Sequence, residues 1–301
     1  MIFKHRTEPT ELTILKLLAH RMELSKEDQL NFFNLKKGYE GEKLFDTFLE
    51  KLECDVLVLN DLLLSSSNQT FQLDTLLVTN NLVYIFEIKN YFGDFYFKND
   101  RLFQKNDNEV SNPLNQLQRS ELLLRQLLHK LGFSIPVQSM VIFINEAFTL
   151  YLAPLDKPFI LPTQLKTFFQ KINSHKSTLD MQHKKMAEKL SSLHMQQHPH
   201  QKRPSYNNDQ LQTGMSCGAC QSLTITIQNK KSICTTCKNE ESIDSALIRN
   251  ANEYSLLFPN EKITLPKIMD WCRIITSKKQ LRRVLDNNYQ KVSKRRWTYY
   301  E

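Results

Sequence analysis

Asp74, Glu87 and Lys89 lie on two neighbouring apolar stretches and have the types and spacing needed to hydrolyse a phosphate ester. Asn80-Asn81 separates the runs 71–78 and 82–90, and Asn tolerates the positive φ that a two-residue hairpin loop demands at both positions. Thr79 then faces Leu82. In such an antiparallel pair the partners' residue numbers sum to 161, so Asp74 falls opposite Glu87 and Gln72 opposite Lys89. Side-chain alternation puts Gln72, Asp74, Glu87 and Lys89 on one face, and Leu73, Phe86 and Ile88 on the other. Two facing carboxylates raise each other's pKa unless a cation lies between them. A hard divalent ion, Mg²⁺ or Mn²⁺, takes carboxylate, carbonyl and water oxygens, here from Asp74, Glu87 and the backbone carbonyl of Ile88. Lys89 is then placed to orient an attacking water or to stabilise charge developing on a phosphate. An E-x-K triplet alone more often makes a surface ion pair; its combination with Asp74 on one hairpin carries the reading.

The flanking elements must hold this hairpin. From Gly38 an amphipathic helix runs through Glu42, Leu44, Phe45, Phe48, Leu49 and Leu52, and Gly38 and Gly41 allow it to approach a sheet closely. Glu42 can therefore reach a cation through water. Residues 55–59, 71–78, 82–90 and 94–97 are rich in Val, Ile, Leu, Phe or Tyr between polar turns, the pattern of a mixed or antiparallel sheet. Pro113 opens a helix that ends near Gly132, residues 137–144 form a buried strand, and Leu165, Phe168, Phe169 and Ile172 mark a further helix.

The segments Gly38-Tyr-Glu-Gly41-Glu42, Gln72-Leu-Asp74, Glu87-Ile-Lys89-Asn90 with Gly93, and Asn112-Pro113-Leu-Asn-Gln116 resemble, in combination, the nuclease-related domain (NERD) family over roughly residues 34–150. The resemblance implies an α/β restriction-endonuclease-like core, a mixed sheet flanked by helices, and membership of the PD-(D/E)XK nucleases, which cleave phosphodiester bonds with divalent metal. It implies a helix acid at Glu42, a strand acid at Asp74, the E-x-K pair at Glu87 and Lys89, and further polar site positions at Gln72 and Gln116. Leu73 stands where the superfamily name has proline, which removes no ligand.

Cys217-Gly-Ala-Cys220 and Cys234-Thr-Thr-Cys237 are separated by thirteen residues that include a β-prone run, the spacing of a four-thiolate structural zinc ribbon. Cys54 and Cys272 lie in apolar surroundings as core residues. The expected organisation is an N-terminal helical extension at 1–33, a NERD nuclease-like domain at 34–173, a polar linker at 174–212, a zinc ribbon at 213–240 and a basic helical module at 241–301. The linker holds His175, His183, His194, His198 and His200 at irregular spacing, which fits a solvated tether better than a metal site.

In the last module, 265–272 and 278–285 suggest a helix-turn-helix with Ser277 as N-cap. Lys278, Lys279, Arg282 and Arg283, with Arg295 and Arg296 beside Trp297, are candidate nucleic-acid contacts, and a bland helical cap with a basic tail is the competing reading. Forty basic against 32 acidic residues give +8. From 261 to 301 there are 11 Lys/Arg and 4 Asp/Glu, a net +7 by 11 − 4, favouring a polyanion; the expected nucleic acid is DNA more than RNA, a distinction that net charge does not make. No run approaches the roughly 20 apolar residues of a membrane span, and His5, Arg6 and Glu8 replace a signal peptide's apolar core. A cytoplasmic protein follows. There is no G-x-x-x-x-G-K-[ST] loop, so any helicase working with it is a separate protein. Two other functions remain in view: a nucleic-acid-binding module of nuclease fold without turnover, and a protein-interaction scaffold.

Overall fold

The computed structural model describes residues 1–174, 178–196, 204–273, 277–294 and 297–301. In chain order the first elements are β1 (Ile2–Lys4), α1 (Thr10–Ala19) and α2 (Lys26–Leu49). Strands β2 (Leu57–Ser66), β3 (Gln69–Val78), β4 (Val83–Lys89), β5 (Gly93–Lys98), β6 (Arg101–Gln104) and β7 (Glu109–Val110) lead to α3 (Pro113–Lys130). Then come β8 (Val137–Phe143), β9 (Phe148–Tyr151), β10 (Phe159–Ile160), α4 (Leu165–Ser174) and α5 (Met181–Ser192). The last are β11 (Ile225–Gln228), β12 (Lys231–Cys234), β13 (Glu240–Ser242), α6 (Ile243–Leu257), α7 (Leu265–Cys272), α8 (Lys278–Asn288), β14 (Lys291–Lys294) and β15 (Trp297–Tyr300). No helix among the described residues is long and apolar enough to cross a membrane.

Two compact units result, and neither is continuous: Met1–Glu8 joins Phe33–Lys202, while Pro9–Phe32 joins Arg203–Glu301. The segment expected as one N-terminal extension is thus divided between them.

The first unit is built on a mixed six-stranded sheet of order β1-β2-β3-β4-β8-β10. β2, β3 and β4 are antiparallel neighbours, whereas β1 on β2, β8 on β4 and β10 on β8 are parallel. One face packs Leu57, Leu59, Leu73, Val83 and Ile85 against α3 and α5, the other packs Val58, Leu77, Phe86, Ile88 and Ile142 against α2 and α4. A smaller sheet, β7-β6-β5-β9, adds Phe95, Phe97, Leu102 and Phe148 to the α3 side. Helices on both faces of a mixed sheet match the expected fold class.

Three local expectations are corrected. The β3–β4 turn closes by Thr79 N–H to the Leu82 carbonyl, but neither Asn80 nor Asn81 has positive φ; the Thr79 hydroxyl, also donating to Leu82, helps brace the loop. Residues 174–212 are not all tether. Met186, Ala187 and Leu190 of α5 are buried, three apolar positions on one helix face that the surrounding Lys, Gln and Glu obscured. Asp180 caps this helix through the Gln182 and His183 amides. His183 reaches the Asn80 carbonyl and His194 accepts the Leu63 N–H, so both serve docking. His175, His198 and His200 lie outside the described residues. Cys272 is buried as expected, but Cys54 is only half-buried at the core's edge.

The second unit contains α1, the three-stranded sheet β11-β12-β13, helices α6 to α8 and the β14–β15 hairpin. Arg21, after α1, is nearly fully buried; it pairs with Glu253 of α6 at 2.5 Å, donates to the carbonyls of Gln212 and Gly214, and lies over the Trp271 ring. That guanidinium ties the N-terminal segment into this unit.

Leu190→Ala should destabilise the first unit by about 2–5 kcal/mol, measured by urea denaturation. A loss under about 0.5 kcal/mol, the scale of an exposed site, would show that α5 does not belong to the core.

Candidate active site

The ladder joining β3 and β4 pairs Val78 with Val83, Leu77 with Tyr84, Leu76 with Ile85 and Thr75 with Phe86, the register in which partners sum to 161. It stops there. The Asp74 carboxylate accepts the Ile88 N–H at 2.8 Å, occupying the position of a strand carbonyl. The N–H and C=O of one strand residue point to the same side, and Lys89 directs its carbonyl to Ile144 beyond β8. By that alternation the Ile88 carbonyl faces the β3 side of the strand, the side on which Asp74 lies.

The single shared face is a correction. Leu73 lies in the α3-side core with Val83 and Ile85, opposite Phe86 and Ile88. Alternation along β2 and β3 changes over beside the unpaired Asp61–Asp74 step, where Asp61 has φ 51°. Gln72 pairs with Leu63 of β2, lies beyond the end of the β3–β4 ladder and so has no partner at Lys89, and is exposed. Glu87 and Lys89 instead project toward α3. Their side chains meet at 2.7 Å, and the Lys89 ammonium lies 3.5 Å from the Gln116 amide oxygen.

Glu42 approaches from α2. Gly41 makes this possible, because a Cβ there would stand 2.5 Å from Cβ of Asn90, closer than carbon atoms tolerate. Gly38 has open space around it and no such role. Asn90 donates to the Lys37 carbonyl and accepts from Asn145, fixing the helix to the end of β4.

Arg6 is a residue that sequence reasoning missed, together with its partners Asp46 and Asp61. Its side chain is 3% exposed, and it pairs with Glu42 at 2.8 Å, Asp46 at 2.9 Å and Asp61 at 2.8 Å, and donates to the Thr75 hydroxyl. Thr75 in turn donates to Asn60, and Asn60 to Asp46. Nothing in local spacing marks Arg6, since its partners lie 36 to 69 residues away; the only signal is the strand-like run Ile2-Phe3-Lys4 before it.

Five carboxylates, Glu42, Asp46, Asp61, Asp74 and Glu87, thus share one electrostatic environment with three cations, Arg6 and Lys89, which form ion pairs, and Lys4, which donates to the Asn60 and Asp61 carbonyls. If all are ionised the balance is −2 by 3 − 5. Burial first, and the Asp74 charge second, push Glu42 and Glu87 up to about 8 each. Burial also raises Asp74 and Asp61. Lys89 is held above its ordinary value by Glu87 and Asp74, although burial works against this. Buried acids that resist ionisation and an inward carbonyl are a hard, oxygen-rich donor set, which fits Mg²⁺ or Mn²⁺.

Residues 37–144 match the family model of the nuclease-related domain, NERD. Glu42, Gln72, Asp74, Glu87, Lys89 and Gln116 fall inside this nuclease-related domain, whereas Arg6 precedes it. No curated protein and no solved structure matches the chain.

A second donor set lies in the other unit. Among the described residues, Cys217, Cys220, Cys234 and Cys237 are the one group of three or more His, Cys, Asp or Glu side chains whose ligand atoms all lie within 4.8 Å. The Cys217–Cys237 and Cys220–Cys234 sulfurs are 3.6 Å apart. Each Cys pair is followed by a residue of positive φ, Gln221 and Lys238, both at 62°. Two equivalent knuckles presenting four sulfurs fit a tetrahedral cation. Lys278, Lys279, Arg282 and Arg283 are exposed on α8, while Arg295 and Arg296 lie outside the described residues.

The raised carboxyls set a pH dependence. A folded pKa of about 8 against an ordinary 4.5 gives stability fully present below about pH 4.5 and lost as pH rises through about 8. Without divalent cations, Tm should fall from about pH 5 to about pH 8, less steeply in Glu87→Gln, and Mn²⁺ should restore it at the upper end. Equal slopes in both proteins, with no response to Mn²⁺, would contradict this.

Proposed function

We propose that the nuclease-related domain is a metal-dependent nuclease of the PD-(D/E)XK class that hydrolyses phosphodiester bonds in DNA, in DNA processing or repair. The observation that carries this reading is the buried carboxylate Asp74 beside Glu87, Lys89 and the inward Ile88 carbonyl. Asp74, Glu87 and that carbonyl would hold Mg²⁺ or Mn²⁺, with Glu42 reaching it through water. The cation supplies Lewis acidity and lowers the pKa of water at neutral pH.

The chain's own groups do the rest. Lys89 directs its ammonium toward the site to orient the attacking water and to offset charge on the phosphate, while Gln116 steadies that ammonium. Arg6 offsets Glu42, Asp46 and Asp61, so that the helix acid stays in place against its neighbours' repulsion. Gln72, exposed on β3, is available to the substrate rather than to Lys89.

The four cysteines would hold Zn²⁺ as a structural staple, since a site closed by four sulfurs leaves no position for substrate. The basic C-terminal module holds nucleic acid. A nuclease fold that binds nucleic acid without cutting is the second reading, favoured by the engagement of Glu42 with Arg6.

Wild type should cut a panel of linear, circular, single-stranded and branched DNA with Mg²⁺ or Mn²⁺, and Asp74→Ala or Lys89→Ala should reduce the rate about 100-fold or more. Binding without cutting in all three proteins would favour the second reading. Metal analysis of the purified chain should find about one zinc, lost in Cys217→Ser with Cys234→Ser; undiminished zinc in that variant would remove the assignment.

A further inference from the structure

The C-terminal part of the second unit has an order of elements that helix spacing alone does not disclose. After α6, Ile263 forms an isolated antiparallel bridge to Tyr300, and the Tyr300 N–H donates to the Ile263 carbonyl at 2.9 Å. Then follow α7, α8 and the β14–β15 hairpin, so Ile263, β15 and β14 lie side by side. The result is a pair of consecutive helices, α7 and α8, in the chain order of a helix-turn-helix and followed by a β-hairpin wing, with residues 274–276 between the helices outside the described residues.

Its core is apolar. Ile268, Trp271 and Cys272 of α7, with Leu281, Val284 and Leu285 of α8, are buried, as are Leu247, Ala251 and Tyr254 of α6. Ser277 caps α8 by accepting the Gln280 N–H at 3.1 Å. The wing is anchored to α8: Asp286 accepts the Tyr300 hydroxyl at 2.9 Å and pairs with Lys291 at 3.1 Å. Trp297, at the start of β15, is 77% exposed.

The outer side of α8 is charged. Lys278, Lys279, Arg282 and Arg283 stand against Asp286, a net +3 by 4 − 1. Arg283 and Gln280 turn to Asp244 at 2.7 and 2.8 Å, which fixes that flank of the helix. Lys278, Lys279 and Arg282 are exposed and make no ion pair among the described residues.

We infer that this module docks on duplex DNA, with α8 in the major groove through Lys278, Lys279 and Arg282, and with the exposed Trp297 of the wing against the adjoining backbone. This deepens the DNA reading above by naming the duplex as the form held. A helix with its side chains is about 10–12 Å across, and the B-form major groove is about 12 Å wide. The second helix of a helix-turn-helix is the one that enters. A-form RNA has a major groove too narrow for it. Cations outside close ion pairs, Lys278, Lys279 and also Arg282, which feels Asp286 only at longer range, are those that can replace counterions along a phosphate backbone.

The test is fluorescence anisotropy with the full chain in buffer free of divalent cations, using a DNA duplex, one of its single strands and an RNA duplex of the same sequence. Wild type should bind the DNA duplex at least about tenfold more tightly than either alternative. Lys279→Ala with Arg282→Ala should weaken duplex binding at least about tenfold, and its salt slope should be shallower by about 2. Lys278→Gln with Lys279→Gln, a second exposed pair, should act in the same direction, with unchanged Tm checking the fold of each. Duplex binding equal to wild type in either folded variant overturns the proposal, as does equal affinity for single strand or for duplex RNA. Cleavage that depends on Asp74 would survive that failure, because it is read separately and with metal present.

Discussion

A carboxylate stands in for a backbone carbonyl where β3 leaves β4, and the site of the first unit is organised around that substitution. By accepting the Ile88 N–H, Asp74 satisfies a donor that the interrupted ladder would otherwise orphan. The same contact places a carboxyl group inside the sheet, where burial raises its pKa and an uncompensated ion would cost several kcal/mol. Every charged neighbour can be understood as an answer to it. Lys89 lies on one side, Arg6 holds the other acids in order, and Glu42 and Glu87 retain protons to high pH when nothing else offsets the field.

The sheet itself divides the labour. Glu87, Lys89 and Gln116 approach from the α3 face, while Glu42 and its Arg6 network approach from the α2 face. Asp74 sits at the gap and is felt by both. This arrangement depends on Gly41, since a larger residue would push α2 away from Asn90. Packing density and charge placement are thus one problem at this helix, and glycine solves it by omission.

Much of this could be read from residue order. The 161 register is carried by four ladder pairs, because a short loop between apolar runs leaves little freedom. The E-x-K pair, the Glu42 helix and the two cysteine pairs are likewise local patterns. What escaped was nonlocal or irregular. Arg6 acts on residues far along the chain, Ile263 contributes one bridge to a sheet completed at Tyr300, and the changeover at Asp61–Asp74 breaks the alternation on which the position of Leu73 and Gln72 rested. Helix α5 was hidden because three buried side chains suffice to dock it among many charged ones.

The interleaving of the two units imposes an order on synthesis. Once about 200 residues have left the ribosome, every element of the first unit is available. Helix α1 has by then been exposed far longer, yet Arg21 waits for Glu253, 232 positions later. Domains generally fold as units, in the order they emerge. The first unit can therefore close while the stretch 9–32 is still without its packing partner, so that one part of the nascent chain is complete before the segment that precedes most of it has found its place.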